Sequence, residues 1–484
     1  MSERIDESSG WPIVNLVEQL EQIIDNRGKT PIKADSGIPS LSAKSVKMGV
    51  IEYEKVYFVS QETYDKFMVR GLPKVGDVLL TTEAPLGCVA RLDRNDVCLA
   101  QRLITLRGKE GVLDNDYLRL YLSSSLGQHE LISRASGSTV QGIKRTEFSK
   151  IDIVLPPFKK QLEIAKVIRA IEEKIEVNQQ TNRTLENIAQ AIFKNWFVDF
   201  EPTRAKIIAK EKGANTAIQE LAAQAIICGA MTLEQLEAIT QNLETTLQQA
   251  INEKLSQANQ TPINTEQLKT TAALFPNELV DSELGEIPEG WEGKVIGDYV
   301  DTVSKTYPLK EVEEVIFLNT GDIKDGRFLH SNKSDASILP GQAKKSIQEG
   351  DILYSEIRPQ NKRFAYVNFA GNEHVVSTKL MVLRKKEKIE SAYIYFILTQ
   401  QSVIDYLQII AESRSGTFPQ ITFDAVSKIE FICPDDLTLI HEFTKRILLP
   451  TMKKQWAMEA ESQMIANLRD TLLPKLLSGE LKVS

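Results

Sequence analysis

From Ile164 to Trp196, a set of positions recurs at alternating steps of four and three: Ile164, Ile168, Ile171, Ile175, Asn178, Asn182, Leu185, Ala189, Ile192 and Trp196. This is heptad spacing, which keeps one narrow stripe of a helix against a partner helix. Two seam positions are asparagine, and a buried amide there weakens a coiled coil but fixes its register. A second stripe starts at Ile440, Phe443 and Ile447 and resumes at Met458, Ile465, Leu468, Leu472 and Leu476. Pro450 falls between its two parts and is expected to break or kink that helix, because it has no N–H to donate and its ring crowds the preceding turn. Each helix carries an apolar seam with no other partner in view, so the two are expected to pair. An amphipathic helix lying on its own domain is the alternative.

The chain ahead of each helix repeats itself. Trp11 returns as Trp291, the block Ser40–Gly49 as Phe317–Gly326, and Gly76-Asp77-Val78-Leu79 as Gly350-Asp351-Ile352-Leu353. Leu103–Arg107 returns as Leu380–Arg384, Ser149-Lys150-Ile151 as Ser427-Lys428-Ile429, Pro156 as Pro434, and Asn187-Ile188 as Asn467-Leu468. The order is kept and the spacing shifts by only a few residues, which describes a tandem duplication far longer than any solenoid unit. Within each copy, short apolar runs bounded by glycine predict strands. In the first these are Val78-Leu79-Leu80, Cys98–Leu106 and Ile151–Leu155, with helices at Tyr117–Leu126 and Gln128–Arg134 and a loop at Ser136-Gly137-Ser138. In the second they are Asp351–Tyr354, Val375–Leu383 and Ile429–Ile432, with a helical stretch Ala392–Ala411 and a loop at Ser413-Arg414-Ser415-Gly416.

The expected organisation is α+β. A disordered tail, 1–10, precedes a first mixed α/β domain, 11–157, and a spacer helix, 158–200. A helical insertion or linker, 201–284, leads to the second domain, 285–435, and a C-terminal spacer helix, 436–484. Within the insertion, Thr232 and Gln235 make a capping-box start for Leu233–Ile239, and Gln257–Thr265 is expected to be a loop.

Charge refines this picture. The 484 residues carry a formal net charge of −8, which by itself argues against a polyanionic partner. Residues 201–290, however, hold 13 acidic and 6 basic side chains, so most of the excess sits in the insertion. Ser355–Lys388 holds eight Lys/Arg against three Glu, and Arg134–Lys150 four against one. Such local fields can steer nucleic acid whatever the global sum. Four scattered cysteines and the lack of a long apolar run point to a reduced, cytoplasmic setting with no membrane partner.

No catalytic or metal site stands out. Gly321–Gly326 mimics a phosphate-binding loop, but Arg327 and Phe328 stand where lysine and a hydroxyl residue are needed. Leu155-Pro156-Pro157-Phe158 looks like the Asn/Asp-Pro-Pro-aromatic motif of adenine aminomethyltransferases, yet Leu155 cannot accept the amine's hydrogen bonds. The prolines more simply end a strand. His129, His330, His374 and His441 pair with no cysteine or carboxylate at ligand spacing.

DNA contact needs cations for phosphates and Arg, Lys, Asn or Gln for base edges. In the second copy Arg358, Gln360, Asn361, Lys362 and Arg363 form such a cluster, with Lys379, Arg414 and Gln420 beside it in pattern. Gln101, Arg102, Arg134, Gln141, Lys144 and Arg145 are their equivalents in the first. For any one of them, plain surface charge is the competing reading.

On its plan and its local motifs the chain resembles the specificity subunit of Type I restriction–modification enzymes. The motifs are Gly285-Glu286-Ile287-Pro288-Glu289-Gly290-Trp291, Leu155-Pro156-Pro157 with Gln161, Asn195–Pro202 and Leu472–Gly479. Lys160 departs from the family's usual acid in the run before Gln161. The resemblance implies two target-recognition domains, each reading half of a bipartite double-stranded DNA site, spaced by an antiparallel coiled coil. It also implies two modification subunits that methylate adenine with S-adenosylmethionine, and restriction subunits that use ATP and Mg. None of these cofactors is expected on this chain, which is expected to be non-catalytic. A subunit of a methyltransferase-only or fused system, a single-chain enzyme, and a scaffold without DNA contact are the competing functions.

Overall fold

The computed structural model describes residues 4–26, 30–137, 140–257, 264–386, 388–414 and 419–481, without the side chains of Gln257 and Arg414. It divides into two compact units, residues 1–181 with 458–484 and residues 182–457.

In the first unit, a four-stranded antiparallel sheet takes the order Leu20–Asp25, Leu103–Gly108, Val78–Thr82, Leu86–Arg91. Successive side chains on a strand face opposite ways. Accordingly Val78, Leu80, Ile104 and Leu106 pack on helices, among them Asn115–Ser123, and reach Ile164, Ile168, Leu473 and Leu476 of the long helices. Leu79, Ala90 and Leu103 face the other way, onto Leu41, Val59 and Leu99 of a second sheet. In that second sheet Ile38–Leu41 runs antiparallel to Tyr57–Val59 and parallel to Cys98–Leu99.

The second unit repeats these layers. Its central sheet runs Val300–Thr302, Leu380–Lys385, Ile352–Ser355, Phe364–Tyr366. Ile352, Tyr354 and Leu383 face helices, whereas Leu353, Ala365 and Val382 face the outer sheet. There Glu314–Leu318 and His374–Ser377 form the matching parallel pair. Gly49 and Gly326 turn equivalent hairpins at φ 77° and 78°, so the sequence that mimics a phosphate loop is a tight turn that only glycine enters without strain. Two recurring sequence blocks meet in space in each copy. Arg107 donates to Asp77 by two hydrogen bonds of 2.7 Å, and Arg384 does the same to Asp351, again twice at 2.7 Å.

The first spacer helix, α1, is Phe158–Phe197. All ten seam positions are buried or half-buried, while neighbours such as Val177 and Ile188 are exposed. The second, α2, is Leu449–Leu477. In the first unit the Asn178 amide reaches Glu461 Oε2 at 2.8 Å, Ser462 Oγ at 3.2 Å and the Met458 carbonyl at 3.4 Å. In the second unit Asn182 Nδ2 donates to the Gln455 carbonyl at 3.3 Å and Gln455 Nε2 donates to the Asn182 carbonyl at 3.2 Å. The descending partners define an antiparallel pair, and both seam asparagines spend their hydrogen bonds on its register.

Three expectations are corrected. Of the break or kink expected at Pro450, the break does not occur: Thr438–Phe443, a π-helical turn Thr444–Leu448 and α2 follow without interruption. The wider turn just before the proline accommodates the missing donor and the bulk of the ring. Of the expected disordered tail, 1–10, residues 1–3 lie outside the described residues, but Arg4–Gly10 are folded. Asp6 accepts from the hydroxyls of Ser8 and Ser9, and Ile13 N–H donates to the Arg4 carbonyl at 2.7 Å. The expected strands Cys98–Leu106 and Val375–Leu383 are each two strands in two different sheets, interrupted at Ala100-Gln101-Arg102 and Thr378-Lys379. In the insertion the Thr232–Gln235 capping box is present and starts the helix Leu233–Ala238. Of the expected loop Gln257–Thr265, residues 258–263 lie outside the described residues. Ser138 of the first expected loop and Ser415-Gly416 of the second lie outside them too.

Candidate nucleic-acid interface

The interrupted strands bring three loops together at one end of each central sheet. In the first copy Thr82 N–H donates to the Arg102 carbonyl at 3.0 Å, Ile143 N–H donates to the Thr82 carbonyl at 3.0 Å, and Glu83 bridges Gly142. In the second, Glu356 N–H donates to the Lys379 carbonyl at 3.1 Å, Ile421 N–H donates to the Glu356 carbonyl at 2.9 Å, and Ile357 bridges Gln420. These are the same three links at matching positions. The backbone therefore builds one frame twice and dresses it with different side chains.

In the first frame Gln101 is half-buried and Arg102 exposed. Arg102 holds a left-handed φ of 64°, unusual outside glycine, and its guanidinium lies 3.7 Å from Glu83. Gln141 and Lys144 are exposed on the third loop, and Arg145 is exposed at the start of the helix Arg145–Phe148 that follows it. Arg145 reaches the buried carboxylate of Asp25 at 3.3 Å. Arg134 is turned back onto its own helix, donating to Glu130 at 2.8 Å.

In the second frame Arg358, Gln360 and Asn361 are exposed, and Lys362 and Arg363 half-buried. Arg358 and Lys362 take left-handed φ values of 44° and 52°. The Lys362 carbonyl accepts from Asp325 N–H at 2.8 Å, and Arg363 donates to Thr320 Oγ1 at 3.3 Å. Lys379 lies 3.8 Å from Glu356. Gln420 is half-buried on the frame; Arg414 ends the helix Gln401–Arg414, and its side chain lies outside the described residues. Exposed ion pairs of this length contribute under about 1 kcal/mol, so Arg102 and Lys379 are held loosely and can exchange a carboxylate for a phosphate at small cost.

Some residues at the site escape the charge pattern. Lys345 Nζ donates to the carbonyls of Thr378 at 3.1 Å and Leu380 at 2.8 Å, on either side of Lys379. Burial pushes its ammonium below the ordinary value, with the Glu356 charge opposing. Arg70 donates to the Asp25 carbonyl beside Arg145. Glu83 and Ala84-Pro85 carry no cationic signal, yet they occupy the places of Ile357 and Arg358-Pro359. Laying the two repeats side by side through these prolines is the signal that finds them. Among the described residues no group of three or more His, Cys, Asp and Glu is arranged to hold a metal ion, and no helix is long and apolar enough to cross a membrane.

A duplicated sandwich with paired cationic loops and an antiparallel helix pair is a known architecture. The model of the Type I restriction modification DNA specificity domain matches residues 10–187 and 288–438. The chain belongs to this family and carries its domain twice. It is 44% identical over 149 residues to the HindI Type I restriction enzyme specificity subunit of Haemophilus influenzae, a match covering 31% of this chain and 32% of that one. Along nearly the whole length it is 22% identical to the MjaIX specificity subunit of Methanocaldococcus jannaschii, covering 98% of this chain and 94% of that one. The crystal structure of the Type I restriction–modification S subunit from M. genitalium superimposes with a TM-score of 0.50 at 13% identity, over 98% of this chain and 99% of that one, a likeness of fold.

Proposed function

We propose that this chain is the non-catalytic reader of a bipartite DNA sequence, each copy of the domain recognising one half through its own three-loop frame. The observation that carries this reading is the repeated frame itself. Equal backbone links present Arg102, Gln141 and Lys144 in one copy and Arg358, Gln360 and Asn361 in the other. A common scaffold with different polar side chains is what two unlike half-sites require, since phosphate contacts position the protein and base contacts specify the sequence. Two modification subunits using S-adenosylmethionine would methylate adenine at the site so chosen, and restriction subunits using ATP and Mg would cut the DNA. The cofactors belong to those partners. A system with methyltransferase partners only, or with the parts fused, would use this chain in the same way.

The test replaces residues 285–435 with the corresponding domain of a relative and maps the methylated motif of a host carrying the whole system. One half of the motif is expected to change while the other stays. A change in both halves overturns the assignment of one reader to each half.

A further inference from the structure

We infer that Arg358 reads a guanine in the second half-site, and that Ala84, its structural counterpart, leaves the same position of the first half-site without such a contact. The inference rests on the proposed DNA-reading function.

The two residues occupy one place in the frame. Each follows the strand end linked to the third loop, each precedes a proline, and each has a left-handed backbone, with φ 53° at Ala84 and 44° at Arg358. A non-glycine residue held there is strained by about 1–3 kcal/mol and persists only when its surroundings over-determine it. Pro359 is buried behind Arg358, and Arg358 N–H donates to the Pro419 carbonyl at 3.2 Å. The backbone is thus clamped on both sides while the side chain stays exposed. Among the described residues the Arg358 guanidinium makes no hydrogen bond or ion pair. The other described arginines of the two frames differ in this respect: Arg363 donates to Thr320, Arg145 pairs with Asp25, Arg134 with Glu130, and Arg102 lies beside Glu83. Of the lysines, Lys379 lies beside Glu356, and Lys144 and Lys362 each carry a single ammonium rather than a planar fork. Arg358 therefore combines a fixed base with a free fork of donors. An arginine so presented matches the O6 and N7 acceptors of guanine, the commonest specific contact in the major groove, and neither adenine, thymine nor cytosine offers that pair.

The strain supplies a test that separates reading from folding. Arg358→Gly removes the side chain and suits the left-handed backbone, so it should raise thermal stability rather than lower it. With the native complex, purified through a tag on this chain, binding to a library of duplexes is measured for wild type, Arg358→Gly and Arg358→Lys. For wild type the library should enrich a two-part motif with one guanine that both variants lose. Discrimination at that base pair should fall roughly tenfold to a hundredfold, with the first half-site unchanged. Arg358→Lys keeps the charge but not the bidentate fork and should lose the preference as well. Ala84→Arg should add a guanine preference at the corresponding position of the first half-site. A uniform loss of affinity on all sequences with a shallower salt dependence would make Arg358 a phosphate contact and overturn the inference. A wild-type motif left intact by Arg358→Gly would overturn it alone. A wild-type complex that selects no two-part sequence would overturn the proposed function and this inference together.

Discussion

The two copies of the domain agree beneath the surface and part company at it. Asp77–Arg107 and Asp351–Arg384 tie the same pair of strands with the same paired hydrogen bonds. One end of that sheet presents Ala84 and Arg102 in the first copy and Arg358 and Lys379 in the second. The pairs differ in depth. The Arg107 side chain is 9% exposed and donates further to Gln22 and the Leu72 carbonyl, whereas Arg384 is 27% exposed. The comparison teaches that the frame is held by buried, shared groups, whereas the surface proposed to face DNA differs between the copies.

Breaking the frame should therefore have the largest effect. Asp77→Ala leaves Arg107 buried without its carboxylate and should cost about 3–5 kcal/mol. Asp351→Ala should cost less, because water reaches Arg384. Urea unfolding of the full chain checks both, and equal losses would count against the difference in burial. Next comes the connection between the readers. Four residues inserted beside Asn182 lengthen α1 by about one turn. The preferred spacer between half-sites should lengthen and the half-sites stay as they are, as read from the methylated motif. A changed half-site with the old spacer would remove the helix from that role.

Smaller effects sharpen the comparison further. Arg102→Ala and Lys379→Ala remove loosely held exposed cations, so stability should move by less than about 1 kcal/mol. Affinity for all DNA should fall, with the salt dependence reduced by about one phosphate contact. A change in motif rather than in overall affinity would make them base readers instead. The smallest effect concerns Glu461. Hydrogen bonds from Asn178 and then Lys174 hold its carboxyl below the ordinary value of 4.5. A group depressed in the folded state contributes stability above its unfolded pKa, and that contribution is lost as pH falls through the folded value. The pairing of α1 with α2 should thus weaken below about pH 4.5, and Glu461→Gln should flatten that acid limb in a thermal melt taken across pH.

Much of this was legible in the chain because burial leaves a periodic record. The seam from Ile164 to Trp196 announces its buried face, and the recurring strands announce the duplication, since both answer to solvent exclusion over many residues. The three-loop frame leaves no such record. Nothing in Cys98–Leu106 marks the change of sheet at Arg102: no glycine or proline stands there, and a non-glycine residue is driven into a left-handed conformation by contacts distant in sequence. Glu83 and Ala84 carry neither charge excess nor periodicity and emerge only when the copies are superposed. Pro450 misleads for the complementary reason. Its local preference is to end a helix, and the π-helical turn from Thr444 to Leu448 absorbs it.

The frame's reliance on main-chain hydrogen bonds also bears on how such a protein diversifies. A link from one peptide group to another does not depend on which side chain the residue carries. Substitutions at exposed positions such as 141 or 360 leave those links in place, whereas 84, 102 and 358 sit at positive φ and tolerate β-branched residues poorly. Each copy can drift toward a new preference while the other keeps its own, and the repertoire of two-part sequences open to the lineage grows as the product of the two.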